Sequence, residues 1–290
     1  MQFTNPDDND NSNIEDRRGG GGRKMAIGGV GTIVVVIIAL IMGKNPMQLL
    51  NQVNNNAPQS QQQTDQPYQE SAEEKQERLL AKRTFQSCDV VWKQQFGQWN
   101  KQFQSPVLVM YTEGTQTACG NGSAAMGPFY CPGDQKIYLD LSFFNELATK
   151  FNASGDFARA YVVAHEFGHH IQNLLGYSDK LDQARGRVSE KEYNRLSVKL
   201  ELQADFLAGY WAHYAKDLQK NGIVINEQDV ESALNAASQI GDDQLQKQAQ
   251  GYIVPDAFTH GTSAQRVFWF KKGLTTGDIK QGDTFNDPSL

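Results

Sequence analysis

Hydrophobic positions divide the chain into four stretches of different character. Residues 1–24 scatter a few apolar side chains among acids, asparagines and glycines and end in EDRRGGGGRK. They predict a disordered segment, because they offer little apolar surface to offset chain entropy. Met25–Gly43, MAIGGVGTIVVVIIALIMG, is then an unbroken uncharged run. As a helix it would reach about 28 Å, close to the roughly 30 Å hydrocarbon core of a bilayer, so it predicts one transmembrane helix. Its length, the long acid-containing lead and the lack of an A-x-A site set it apart from a cleaved signal peptide. Residues 44–70, rich in glutamine and asparagine, have no core-forming pattern and predict a flexible linker.

From residue 71 the pattern becomes globular and stays so to residue 290. Leu79, Leu80, Phe85, Val90, Val91 and Phe96 recur at helical spacing and predict one or two helices. PVLVMYTEG predicts a strand over Val107–Tyr111. GPFYCPGDQKIYLDLSFF predicts a hairpin or a pair of short strands, with a Pro-Gly-Asp turn between Tyr130 and Ile137. Helical patterning follows to the end, and no internal repeat is visible. The fold class expected is α+β and mainly helical, with a small sheet beside the helix that carries the candidate site.

Charge narrows the partners. The formal net charge of the 290 residues is -6, which leaves no broad cationic surface for nucleic acid. Arg17, Arg18, Arg23 and Lys24 precede the apolar run and only Lys44 follows closely. The positive-inside rule then keeps the N-terminus in the cytoplasm and exports residues 44–290. The three cysteines, Cys88, Cys119 and Cys131, form no CxxC pair. In an exported domain three disulfide pairings are open. The short glycine-rich loop between Cys119 and Cys131 favours that pair, which would stabilise by about 3 kcal/mol on the chain-entropy model.

The candidate chemistry starts in YVVAHEFGHH, residues 161–170. Asp156–Gly176 predicts one helix, with Asp156 as N-cap and Gly176 as its stop. His165 and His169 are four apart, about 40° around the axis, so both imidazoles can reach one metal ion. Glu166, about 100° round from His165, is placed for a metal-bound water rather than the ion. His170, about 140° from His165, is poorly placed as a ligand. Gly168 costs about 1 kcal/mol inside a helix, which a close approach by another backbone or a substrate would explain. A catalytic zinc needs a third protein ligand and an open position. SEKEYNRLSVKLELQADFLAGYWAHYAKDLQKNG predicts a second helix, capped by Ser189 and Glu192 and ended by Asn221-Gly222. It carries Glu201 and Asp205 four apart in a stretch apolar nearly all round. Buried carboxylates are costly unless paired or metal-bound. Glu201 is therefore assigned as third ligand, and Asp205 as acceptor from a ligand histidine's other N–H. A salt bridge from Asp205 or Glu201 to Arg185, Arg187 or Arg195 is the purely structural alternative. His213, two turns beyond Asp205, is too far to ligate and is read as packing or surface, and Tyr210 and Trp211 as core.

HEFGHH followed by ELQAD resembles the gluzincin pattern of HExxH with a downstream ExxxD. GPFYCP…YLDL, AHEFGHHIQNLLG, ELQADFLAGYWAH and HGTSAQRVFWFKKG together resemble the bacterial putative neutral zinc metallopeptidase family. The layout is similar as well: a charged N-terminal stretch, one membrane segment, then a peptidase-like domain. The resemblance implies a zincin-like fold, one Zn2+ held by His165, His169 and Glu201, and Glu166 in the catalytic position. His260 and Arg266 resemble the His and Arg that follow the ExxxD helix in membrane-linked gluzincins, which implies oxyanion stabilisation for His260 and a supporting role for Arg266; the alternative is that Arg266 is a structural bridge to Asp205 or Glu201 and His260 a loop residue. Ser263 is read as the cap of the helix bearing Arg266. The strand near Tyr130 either holds an extended peptide by backbone hydrogen bonds or is an ordinary core strand. The expected activity is a zinc metalloendopeptidase acting on peptide or protein substrates, anchored in the bacterial cytoplasmic membrane with its domain in the periplasm. The alternative is a membrane-tethered binding or structural protein with an inactive zinc site.

Overall fold

The computed structural model describes residues 1–19 and 68–290. Strands β1 (Gln2–Thr4) and β2 (Ile14–Asp16) lead to helix α1 (Ala72–Gln98). Strands β3 (Val107–Tyr111), β4 (Gly114–Thr117), β5 (Gly120–Ser123), β6 (Phe129–Cys131) and β7 (Lys136–Asp140) follow. Then come helices α2 (Ser142–Thr149), α3 (Asp156–Leu175), α4 (Ser178–Ala184) and α5 (Glu190–Ala215), and strand β8 (Gly222–Val224). Helices α6 (Glu227–Gln239), α7 (Asp242–Gln250) and α8 (Ser263–Thr276) complete the order. The architecture is mainly helical α+β with small sheets.

The main sheet runs β2-β3-β7-β6, with β2 and β7 parallel to β3 and β6 antiparallel to β7. Alternation along β3 and β7 sends Leu108, Met110, Ile137 and Leu139 into the helical core. Val109, Tyr111 and Tyr138 go to a small cluster on the opposite face with Cys131. Both faces are thus covered, which accounts for the near-continuous apolar run in these strands. β6, at one edge, lies against α3 and brings the hairpin to the candidate site. The Cys119–Cys131 disulfide is formed, tying the β4–β5 hairpin to β6, and Cys88 is buried as a free thiol.

The helices are positioned by close backbone approaches. On α5, a Cβ at Gly209 would lie 2.0 Å from the Phe270 carbonyl oxygen. On α8, a Cβ at Gly273 would lie 2.1 Å from the Phe206 carbonyl oxygen. Each helix thus presents a glycine to the other's backbone. On α3, a Cβ at Gly168 would meet the Ala204 backbone of α5 at 3.1 Å. The glycine inside HEFGH is explained by the neighbouring helix, one of the two causes expected for it.

Residues 1–19 are a correction. The disorder expected from their poor apolar content is replaced by structure held through backbone pairing, charge and the packing of Met1, Phe3 and Ile14 against the core. β1 pairs antiparallel with β8, and β2 adds in parallel to the free edge of β3. The Asp8 carboxylate accepts from Arg83, and the Lys82 ammonium donates to Asn11 and to the Asp8 carbonyl. Arg18, nearly buried, pairs with Asp16 and Glu70, while Arg17 pairs with Glu15. Two of the cations counted as flanking a membrane segment are therefore paired within the fold. The expected transmembrane helix, Met25–Gly43, lies outside the described residues, as does most of the linker. Among the described residues no helix is long and apolar enough to cross a membrane.

Smaller boundaries also move. α5 ends at Ala215 rather than at Asn221, because Gly222 already begins the strand that pairs with β1. Gly155, not Asp156, is the N-cap of α3, and Thr262, not Ser263, caps α8 with Gln265 in a reciprocal box. Gly176 closes α3 in the left-handed region as expected.

Candidate metal centre

α3 is amphipathic, with Phe157, Ala160, Tyr161, Ala164, Phe167 and Ile171 fixed in the core. That anchoring turns His165, Glu166 and His169 toward a cleft of about 520 Å³, bounded on the opposite side by Phe129 and Tyr130 of β6. A separate cavity of about 410 Å³ beside Val90 and Leu218 contains none of these residues. α5 crosses α3 and delivers Glu201 into the same cleft. One donor atom from each of His165, His169 and Glu201 lies within 4.8 Å of the others. Glu201 Oε2 is 3.1 Å from His165 Nε2 and 3.5 Å from His169 Nε2.

The donor set fits a zinc ion. Each imidazole is engaged at Nδ1 by an acceptor, Asp205 at 2.9 Å for His165 and Gln172 at 2.8 Å for His169. Both Nε2 atoms thereby face the Glu201 carboxylate, and with the proton held on Nδ1 their lone pairs would be available to a metal ion. Two neutral imidazoles and one carboxylate are the ligand set of a three-ligand catalytic zinc site.

Asp205 is the centre of a buried network. It is fully buried and accepts from His165 Nδ1, the Tyr161 hydroxyl and two nitrogens of Arg266. Arg266 also donates to the Tyr161 oxygen at 3.1 Å and to the Ile240 carbonyl at 3.2 Å. Of the structural partners weighed for Asp205, the bridge to Arg266 is formed, and none to Arg185, Arg187 or Arg195 is. Burial opposes the charged form of Asp205, but the Arg266 guanidinium and His165 outweigh it and hold the carboxyl below its ordinary value. Burial also works against charge on His165. The Asp205 and Glu201 carboxylates outweigh it, raising His165 to about 10 in the absence of a metal. Burial likewise opposes charge on Glu201, yet the facing histidines hold its carboxyl well below the ordinary range.

Glu166 differs. Its burial dominates and raises its carboxyl above the ordinary value, against the pull of His169, His165 and the Tyr130 backbone N–H. A carboxylate so poised accepts a proton more readily than a solvated one. His260 reaches the cleft from the loop before α8. Its Nδ1 lies 3.3 Å from Asp242 Oδ1, while Asp242 Oδ2 accepts the backbone N–H groups of Thr259, His260 and Gly261. Burial disfavours charge on His260, and the Asp242 hydrogen bond reverses that and raises it.

His170 is buried away from the ligand cluster. Nε2 donates to the Gln104 carbonyl, and Nδ1 accepts from the Tyr130 hydroxyl, which in turn accepts from Asn173. Burial pushes His170 down to about 4, so it stays neutral. His213 donates from Nδ1 to the Leu274 carbonyl, and Tyr210 and Trp211 are core. Three residues of the site were not singled out in the sequence: Tyr161, Gln172 and Asp242. Tyr161 stands four before His165 and Gln172 three after His169, so both share the helix face of a ligand, the signal that could have found them. Asp242 has no such local signal.

A mainly helical α+β chain with this ligand set belongs to the class of zinc-metallopeptidase-like proteins. Residues 2–285 match the family described as "Putative neutral zinc metallopeptidase", and the chain belongs to that family. It is 53% identical over 194 residues to the uncharacterized protein YpfJ of Escherichia coli strain K12, covering 67% of this chain and 66% of that protein. The chain thus spans a little under two thirds of the length of that relative. It is 40% identical over 215 residues to an uncharacterized protein of Mycobacterium bovis, Mb2605, covering 71% of this chain and 70% of the relative. No solved structure matches it.

Proposed function

We propose that the chain is a membrane-tethered zinc metalloendopeptidase. The observation that carries this reading is the convergence of His165, His169 and Glu201 in a cleft that also holds buried Glu166. Bound zinc supplies Lewis-acid chemistry, lowering the pKa of water toward about 7 and polarising a carbonyl. Glu166 takes the proton from the attacking water and delivers it to the leaving amine. His260, raised and oriented by Asp242, donates to the developing oxyanion from the far wall. Asp205, Arg266 and Tyr161 hold His165 in one tautomer. β6, an edge strand among the described residues, offers backbone groups to an extended peptide.

Tethering rests on the apolar run Met25–Gly43. The Cys119–Cys131 disulfide favours an oxidising, extracytoplasmic setting for the domain. Residues 1–19, packed on that domain, share its side of the membrane while the packing holds.

The test is made on the purified full chain and its Glu166→Gln variant, measuring zinc content and cleavage of a peptide library in parallel. Zinc in both with cleavage by wild type alone is the expected result. Removal of at least about 100-fold of the rate fits loss of a general base. Zinc in both with cleavage in neither would instead favour a zinc-stabilised binding protein.

A further inference from the structure

We infer that Gln172 is a positioning residue for the metal site, and that its polarity is dictated by two backbone carbonyls through a second glutamine, Gln203. Gln172 is fully buried and Gln203 is 3% exposed, so neither amide has water to fall back on. Gln203 Nε2 donates to the Gly282 carbonyl at 3.0 Å. A carbonyl only accepts, so the amide nitrogen must face Gly282 and Oε1 must face Gln172. Gln172 Nε2 donates to that Oε1 at 3.2 Å and to the Leu200 carbonyl at 2.6 Å. Both carbonyls thus require the Gln172 nitrogen on their side. Gln172 Oε1 is left facing His169 Nδ1 at 2.8 Å, and an amide oxygen can only accept.

The consequence falls on His169. Its Nδ1 must carry the hydrogen, which leaves the Nε2 lone pair for the ligand cluster. Flipping either amide would set donor against donor or acceptor against acceptor in a dry interior, a cost of about 1–3 kcal/mol for each unsatisfied group. The two ligand histidines are therefore oriented differently. His165 leans on a charged carboxylate, Asp205, already shared with Arg266 and Tyr161, whereas His169 leans on a neutral amide. The neutral partner adds no further negative charge beside Glu201. The chain also fastens the residue preceding Glu201 to α3 through the Leu200 carbonyl, and it ends on the turn Ile279–Gly282. The C-terminal segment is in this way part of the support of the metal site.

This inference rests on the zinc reading of the site. The test uses the full chain, zinc-free and zinc-loaded, as wild type, Gln172→Leu, Gln172→Glu and Gln203→Leu. Three quantities are read: zinc affinity by competition with a chelator, unfolding midpoint of the zinc-free protein, and the tautomer of His169 by long-range nitrogen–proton correlation. The expected result is a loss of about 10- to 100-fold in affinity for Gln172→Leu. Gln203→Leu should lose less, and Gln172→Glu, which keeps an acceptor for His169 but sets a carboxylate oxygen against the Leu200 carbonyl and the Gln203 oxygen, should lower the unfolding midpoint of the zinc-free protein. In zinc-loaded wild type the His169 proton should sit on Nδ1. Unchanged affinity in Gln172→Leu, or an unfolding midpoint in Gln172→Glu equal to that of wild type, would reduce both glutamines to packing. A His169 proton on Nε2 in loaded wild type would overturn the inference even if Gln172→Leu did not fold. A wild-type chain with no zinc affinity would remove the metal reading and this inference together. Zinc binding by wild type that is insensitive to Gln172 removes this inference alone.

Discussion

Asp205 shows what one side chain can hold together. Its two oxygens accept from Arg266, Tyr161 and His165 with no exposure to solvent. Asp205→Ala strands a buried guanidinium, and removal of one partner of such a pair costs about 3–5 kcal/mol. Urea unfolding of the zinc-free protein should show that loss, and a change under about 1 kcal/mol would mean that water or another group replaces the carboxylate. Asp242 and His260 form a weaker pair whose sign depends on pH. Asp242 is held below its ordinary 3.8, so its contribution is full above that value and is lost as pH falls through the folded value. His260 is raised above 6.5, so its contribution is full below that value and is lost as pH rises through the raised one. The pair therefore stabilises most between the two, by less than about 1 kcal/mol, since the His260 side chain is 45% exposed. In Asp242→Asn, zinc-free stability against pH should lose part of both slopes, and an unaltered profile would show that the pair is not formed. Spacing, helix context and the family resemblance placed His165 and His169 together, and burial logic added Glu201, the three that the fold brings into one cluster. Asp242 was not legible, because eighteen residues separate it from His260 and only the folded loop brings them together.

At the scale of elements the glycines give a prediction with opposite signs. A methyl at Gly209 collides with the α8 backbone, 2.0 Å from the Phe270 oxygen. Gly209→Ala should destabilise by at least about 1–3 kcal/mol, the cost of overpacking. Gly97, near the end of α1, is exposed, and a methyl added there would meet nothing within 4 Å. At that position Gly97→Ala should stabilise by about 0.5 kcal/mol, through helix propensity alone. Thermal unfolding of the two variants compares them directly, and the same sign for both would discard the close-crossing account of α5 and α8. The strand Val107–Tyr111, the hairpin around the Pro-Gly-Asp turn and the helix of HEFGH were legible because each is set by local periodicity and local turn chemistry. The end of α5 was not, since β8 exists only because β1 pairs with it from the far end of the chain. Tyr130 links element to site: its hydroxyl bridges β6 to His170 and Asn173 of α3.

For the molecule as a whole, the N-terminal residues limit what the proposed membrane tethering would allow. Low apolar content hid their role, because β1 and β2 are held largely by strand pairing and ion pairs, with only Met1, Phe3 and Ile14 packed against the core. Residues 1–19 and 68–290 form one set of contacts: Arg18 meets Glu70, Asp8 meets Arg83, and β2 completes the edge of β3. Two segments so joined cannot be on opposite faces of a bilayer at the same time. One crossing of Met25–Gly43 would put them there, so the arrangement with a cytoplasmic N-terminus and an exported domain requires β1 and β2 to leave their partners. Single cysteines at two exposed positions, Asn9→Cys and Lys271→Cys, report the outcome in intact cells through a membrane-impermeant maleimide. With the strands in place, both positions should label together or both stay protected. Labelling at residue 271 alone would show that the membrane-bound form has released β1 and β2, leaving the edge of β3 and the strand β8 without the partners that they have here.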